Sequence, residues 1–343
     1  LETDKIIVPG DQYNAQEIAS TSSKEIYTAK DISRSGSSSL FNFLSQHTSL
    51  NILPSYGNKS APLIDIRGYG IESGYQNVVI TVDGERINNL DMSPQIIGSI
   101  PLSSIANIEI IKGSGSIRHG DGAMGGVINI TTSDYIENSI QTSFGSHGLN
   151  NNNINVGYKG EKFSIGLSAS DDNDDGQSKV DSKGKKAKSS NKYNKLKVNI
   201  DPTDDLNLFL TTSNVRSNIF YVNALTKAEF DADPSQPGVR QYTSYDYDID
   251  RYSLGLNYKI NPLLGLKFLF FQEDKSNHST AWWGSSLYDY DNEGLNITLP
   301  FSGENFAITS GFESFNAQRK NGSAITTNCL LYTSPSPRDS DSS

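Results

Sequence analysis

No run of about 18 consecutive apolar residues occurs in the chain, which excludes a membrane-crossing helix. It leaves open a membrane β-barrel, whose strands need only about 10 residues of alternating polarity. Cysteine is nearly missing: Cys329 stands alone, so there is no disulfide framework and no thiolate metal site. Basic charge is scarce, with 29 Lys and Arg against 39 Asp and Glu and a net charge of -10. The one basic cluster, Lys183 to Lys188, reads as a solvated loop, so no nucleic-acid partner is expected. The four histidines, at 47, 119, 147 and 278, fall into no metal-ligand spacing and suggest no Ser-His-Asp or Cys-His arrangement. No catalysis and no resident cofactor are expected. An initial methionine and a charged-then-apolar leader are also missing, as in a chain that begins after signal cleavage or is a fragment. Hydrophobic content of 35% is low for a conventional core of this size and suits a large alternating sheet.

What is present is concentrated first between Ile64 and Thr132, where extended apolar runs alternate with glycine turns. They read IDIRGYG, NVVITVDGERIN and IANIEIIKGSGSIRHGDGAMGGVINITT. From Lys24 the pattern is mixed α/β: a strand over Glu25 to Ala29, a short helix capped by Ser37 to Ser39 and running through Leu44, and a helical turn near Ser103 to Ala106 that leads into the strand Ile108 to Lys112. Leu40, Phe43 and Leu44 form the helix's apolar face. The glycines from Gly113 to Gly126 have neither the Gly-Lys-Ser/Thr ending of a phosphate loop nor the dinucleotide spacing, since Arg118 stands where the third glycine is required. They are expected instead to permit positive φ and close backbone approach.

Beyond Tyr135 the period becomes a strict two. Phe163, Ile165, Leu167 and Ala169 alternate with Ser164, Gly166 and Ser168, and Tyr252, Leu254, Leu256 and Tyr258 with Ser253, Gly255 and Asn257. One face is apolar and the other small or polar, as in a barrel with lipid outside and water or a filling domain inside. Short turns (Lys159 to Glu161, Asp201 to Asp204, Asn261 to Leu263, Ser302 to Glu304) alternate with long loops (Ser170 to Asn191, Arg216 to Asp246, Asp274 to Asp289). A soluble β-sandwich has no reason to segregate loop length by end.

The spacing Ile66-Arg67-Gly68, Val82-Asp83-Gly84-Glu85-Arg86, Ile108-Glu109-Ile110-Ile111-Lys112-Gly113 and Gly125-Gly126-Val127-Ile128-Asn129-Ile130 resembles the plug domain of TonB-dependent outer-membrane receptors. Departures are local: Lys112-Gly113-Ser114 for Arg-Gly-Pro, His119-Gly120 for Tyr-Gly, and His47-Thr48-Ser49 where Leu-Pro-Gly is common. The resemblance implies a flexible N-terminal segment over residues 1–23, an α+β plug over 24–134, and part of an antiparallel transmembrane β-barrel over 135–328. About nine strands of a barrel that is typically 22-stranded are expected. Residues Cys329 to Ser343 (CLLYTSPSPRDSDSS) lose all periodicity, look like translated cloning or adapter sequence, and are set aside as a non-native tail.

Several site residues follow. The short extended run Asp4-Lys5-Ile6-Ile7-Val8 resembles a TonB box, with Lys5 in place of the usual Thr; such a run on a tether can add a strand to a partner's sheet edge. Arg67, Glu109 and Lys112 are charges within strand-forming runs that need pairing, and the resemblance implies ionic contacts between plug and barrel wall. Tyr69, Ile71, Glu72, Tyr75, Asn88 and Asn89 fall in loops that family plugs present to substrate, and Trp282 and Trp283 could stack on an arriving ligand. Tyr245, Tyr247, Tyr288 and Tyr290 are expected in a membrane-interface girdle. Asp171, Asp172, Asp174 and Asp175 read first as a solvated acidic loop and second as a Ca²⁺ site, without the EF-hand pattern.

The function so implied is import of a scarce nutrient across the bacterial outer membrane, an iron-siderophore first and cobalamin or another metal chelate next. The implied partners are TonB with its inner-membrane proton-driven motor, the chelate itself and outer-membrane lipid. A passive porin or an adhesin is the rival reading. It leaves the plug and the Asp4 to Val8 run without a role.

Overall fold

In the computed structural model the described residues are 23–55, 58–68, 77–90, 95–113, 119–120, 122–134, 138–238, 242–281, 284–303, 306–321 and 324–337. An α+β unit comes first. It contains β1 (Ser23–Thr28), α1 (Ala29–Arg34), α2 (Leu40–His47), β2 (Asn51–Ser55), β3 (Asn58–Asp65), β4 (Val78–Val82), β5 (Glu85–Arg86), β6 (Ile105–Lys112) and β7 (Gly126–Thr132). Its main sheet has the order β1-β6-β7-β4-β5, with β4 and β7 parallel and the other pairs antiparallel. β2 and β3 form a separate ribbon.

The strand expected over Glu25 to Ala29 begins two residues earlier, at Ser23, and ends one residue earlier, at Thr28. Thr28 and Asp31 form a reciprocal capping box, with Thr28 N to Asp31 Oδ2 at 2.9 Å and Asp31 N to Thr28 Oγ1 at 3.3 Å, so Ala29 opens α1. α2 begins after Ser39, whose hydroxyl accepts from Asn42 N. It buries Leu40, Phe43 and Leu44 against Ile80, Ile108, Ile110, Ile128 and Ile130 of the sheet. Gly126 admits no side chain, because a Cβ there would collide with the Ile111 carbonyl oxygen. Arg67, expected within a strand, sits instead in an exposed turn after β3, at φ 62°.

The second part is a single antiparallel sheet of ten strands among the described residues, each beside its sequence neighbour. The strands are β8 (Ser139–Phe144), β9 (Asn150–Lys159), β10 (Phe163–Asp174), β11 (Ser189–Thr203), β12 (Leu206–Tyr221), β13 (Thr243–Lys259), β14 (Gly265–Ala281), β15 (Gly284–Ser302), β16 (Ala307–Asn321) and β17 (Ala324–Pro337). A short helix, α3 (Lys227–Ala232), lies between β12 and β13. The count exceeds the expected nine because Ala324–Pro337 pairs along β16, which carries the sheet past the boundary expected at Cys329.

Register makes the sheet inside-out. Phe163, Ile200, Leu208, Leu256, Phe268 and Ile297 are cross-strand partners in one row on the outer face. Outer residues such as Leu254 (52% exposed) and Val156 (51%) leave large apolar surface open, while Lys197, Asn199, Ser253 and Asn277 on the other face are buried. Apolar-out and polar-in is the arrangement of a membrane barrel.

Two expectations fail through register. The segment from Asp274 to Asp289, expected as a loop, is paired strand up to Ala281 and Gly284, because hairpins such as the 17-residue β14 outrun the bilayer. Tyr247 is buried against Ala61 and Ile96 of the filling domain and Tyr290 is buried beneath Lys275, so neither stands in a lipid-facing girdle. Their parity matches that of Ser253 on β13 and Asn292 on β15, which face inward, so Tyr245 and Tyr288 lie on that side as well. Tyr158, Tyr252 and Tyr258 take the outer face instead.

Candidate functional site

The polar face of the sheet meets the α+β unit at the β4–β5 hairpin. Its turn, Asp83-Gly84, has φ 53° and 85°, a left-handed pair that glycine adopts freely and aspartate tolerates. Asn88 braces the hairpin from behind: its Oδ1 accepts from Ile80 N and its Nδ2 donates to Val78 O, both at 2.8 Å. The Asp83 carboxylate is buried and accepts from Thr132 N and Thr132 Oγ1, each at 2.8 Å, and from Lys195 Nζ on β11. Burial works to raise its proton affinity. The Lys195 and Lys197 ammoniums and the hydrogen bonds outweigh that and hold it at about 2.

Four barrel strands, β11, β13, β14 and β15, complete this seat. From β11 comes Lys197, paired at 2.5 Å with Asp134, just past β7. From β13 come Arg251 and Ser253, and from β14 Glu273 and Lys275. Arg251 Nε reaches Glu273 at 2.6 Å, Asn292 Nδ2 donates to Glu273 Oε1 at 2.9 Å, and Lys275 Nζ lies 3.5 Å from Glu273. Lys275 also donates to Asn89 Oδ1 and covers the Tyr290 ring at 4.6 Å. Glu85, beside the hairpin turn, is buried and hydrogen-bonded to Ser253. Burial, with the nearby Asp83 charge, pushes its carboxyl up to about 7 against the opposing pull of Ser253, Arg251 and Lys195.

Elsewhere the seam is also polar. Asn191 Nδ2 donates to Ser60 Oγ at 2.8 Å, Asn155 Nδ2 to Ser103 Oγ at 3.2 Å, and Arg86 lies over the Phe315 ring at 5.7 Å. Its apolar part, among the described residues, comprises a cluster in which Ala61 and Ile96 meet Tyr193, Val215, Ile219 and Tyr247, and a smaller one in which Leu90 packs against Phe271, Phe315 and Ala317. Such a seam can hold a domain firmly and still be undone bond by bond, because each polar group regains a water partner when it opens.

The residues expected to bind across this seam mostly do other work. Glu109 pairs with Lys24, and Lys112 with Glu25 at 2.5 Å, both inside the α+β sheet. β6 is flanked by β1 and β7, so its charges meet β1 and not the barrel wall. Burial would raise the Glu25 carboxyl, but Lys112, Ser49 and Tyr27 hold it at about 2. Arg67 rests beside Gly113. Of the two asparagines expected to meet substrate, Asn88 is a buried brace and Asn89 touches Lys275.

The acidic run does not converge. Asp171 and Asp172 lie on opposite faces of β10; Asp171 lies 4.0 Å from Lys192, Asp174 accepts from Gly176 N, and Asp175 pairs with Lys188 at 2.9 Å. Among the described residues no group of three His, Cys, Asp or Glu side chains could hold a metal. Asp4 to Val8, Tyr69, Ile71, Glu72, Tyr75, Trp282 and Trp283 lie outside the described residues.

Sequence reasoning missed Asp83, Glu85, Lys195, Lys197, Arg251, Glu273 and Lys275. A signal existed for the barrel set: Lys195, Lys197 and Asn199 occupy every second position opposite Leu196, Val198 and Ile200, so the charges had to point into the lumen. An open recess of about 520 Å³ lies in the long β12–β13 loop, walled by Val222, Leu225, Phe230 and Pro234 with Lys227 and Asp231 at its rim.

Residues 16–127 match the family described as TonB-dependent Receptor Plug Domain. Among solved structures the chain is similar to the ferric yersiniabactin uptake receptor FyuA from Yersinia pestis, at 17% identity and a TM-score of 0.71, over 92% of this chain and 51% of that one. It is similar to the siderophore receptor PiuA from Acinetobacter baumannii, at 12% identity and a TM-score of 0.65, over 92% of this chain and 53% of that one. The copper transporter OprC matches at 10% identity and a TM-score of 0.66, over 90% of this chain and 50% of that one. At these identities the likeness is one of fold, and the chain spans about half the length of each. Residues 16–127 thus match the plug-domain family of TonB-dependent receptors, and with the inside-out sheet wrapped against the α+β unit the chain has the fold of the plug and first barrel strands of the solved receptors it resembles.

Proposed function

We propose that the protein of which this chain is part imports a scarce metal chelate across the outer membrane by TonB-driven displacement of the plug, and that it is not an enzyme. The observation that carries this reading is the seam: the plug is held by buried ion pairs and hydrogen bonds around Asp83, Ser60 and Ser103, with two small apolar clusters among the described residues. A passive pore needs no such lumen-filling domain. An iron-siderophore is the first substrate class, in keeping with FyuA and PiuA, and other metal chelates follow, since OprC is named as a copper transporter and cobalamin stays among the classes. The outer loops, including the recess around Phe230, would receive the ligand. TonB would then take up Asp4 to Val8 by strand addition and pull.

Deletion of residues 4–10 in the intact receptor is the test. Uptake of a ferric siderophore that the cells bind should be lost while binding to the cell surface is retained; unchanged uptake contradicts coupling through that segment.

A further inference from the structure

Glu85 is the one carboxyl of the seat, among the described residues, with no cation of its own. Asp83 has Lys195, Asp134 has Lys197, and Glu273 has both Arg251 and Lys275. The guanidinium nearest in charge to Glu85 is that of Arg251, which is engaged with Glu273 at 2.6 Å. Glu85 is left with the Ser253 hydroxyl, in a site where water is excluded. The charged and titratable groups facing it are Asp83 beside it on the hairpin, Lys195 and Tyr193 from β11, Arg251 from β13 and, through Arg251, Glu273 from β14.

We propose that Glu85 is a proton-dependent catch on the plug: with its carboxyl neutral the hairpin seats fully, and with its carboxyl ionised the hairpin is loosened from the barrel wall. When neutral, the carboxyl is a hydrogen-bonded polar group and leaves Arg251 to Glu273. When ionised, it is a buried anion beside Asp83 that must compete with Glu273 for Arg251, and an incompletely paired buried charge is costly.

The direction with pH follows from linkage. The free carboxyl titrates at 4.5 and the seated one at about 7, so seating takes up a proton between those values. The contribution of Glu85 to seating is complete below 4.5 and is lost as pH rises through about 7. Asp83, held at about 2, stays ionised throughout that window.

Hydrogen exchange of the β4–β5 amides in the intact, detergent-solubilised receptor, corrected for intrinsic rates, tests this without ligand or TonB. Protection in the wild type should fall roughly tenfold or more between pH 5 and pH 8 and then level off. Glu85→Gln should show no such fall. Ser253→Ala, which removes a hydrogen bond that favours the ionised form, should move the fall to higher pH, and it keeps the test decisive should Glu85→Gln fail to assemble. A flat wild-type profile, an unchanged fall in Glu85→Gln, or an unmoved fall in Ser253→Ala would overturn the proposal.

Discussion

Asp83 stands at a left-handed backbone position with a carboxylate enclosed by two Thr132 donors and the Lys195 ammonium. Removing one partner of a buried pair leaves the other charge stranded, at a cost of about 3–5 kcal/mol. Asp83→Asn should therefore release the plug from the wall, read as a lowered urea midpoint of plug unfolding and as faster proteolysis within residues 24–134. Adding Lys195→Met should recover part of the loss, because the stranded ammonium is gone; no recovery would mean that the pair is not the dominant contact. At this scale the sequence is legible only by half. The alternation on β11 marks Lys195 and Lys197 as lumen-facing, yet nothing local tells which plug residue meets them, since Asp83 lies 112 positions away in the chain. Glu109 and Lys112 mislead for the same reason: their charge and the strand near Glu25 are visible in the sequence, but the pairing of that strand with β6 is not.

Among elements, the β4–β5 hairpin does the positioning. Gly84 has φ 85°, and a Cβ there would stand 3.1 Å from Leu269 Cδ2 on the barrel wall. The leucine methyl can give way; the backbone cannot. Gly84→Val should lower plug stability by about 1–3 kcal/mol through backbone strain, with the barrel's own melting unchanged, whereas Gly36→Val, at φ 69° with open space around it, should cost stability without loosening the seam. Differential scanning calorimetry with hydrogen exchange separates the two. The elements themselves are largely readable in the sequence: Ser39 as the α2 cap, the isoleucine-rich strands, and the period of two after Asn138. What misleads is length and parity. A polar stretch such as Asp274 to Asp289 reads as loop because its residues avoid cores, yet strands that project beyond the bilayer have water on their outer face and need no apolar residues there. Tyrosines near strand ends suggest a girdle until register assigns them to the lumen.

For the whole molecule, the polarity of the sheet has been turned outward and the polarity of the plug surface matches what is left inside. Outer-face leucines meet lipid, inner-face lysines and asparagines meet the plug, and the joint between the two parts is made of bonds that water can replace. Such a joint is stable at rest and separable under load, which is what plug displacement requires. Joining the two parts covalently is the most direct test. In the intact receptor, Ser60→Cys and Asn191→Cys stand where a 2.8 Å hydrogen bond now links plug and wall, and a short thiol-to-thiol cross-linker can bridge them. Cross-linked receptor should bind its metal chelate as before but fail to import it, while the same variant without linker imports normally. Import that continues at the same rate with the plug tied to β11 would contradict the account.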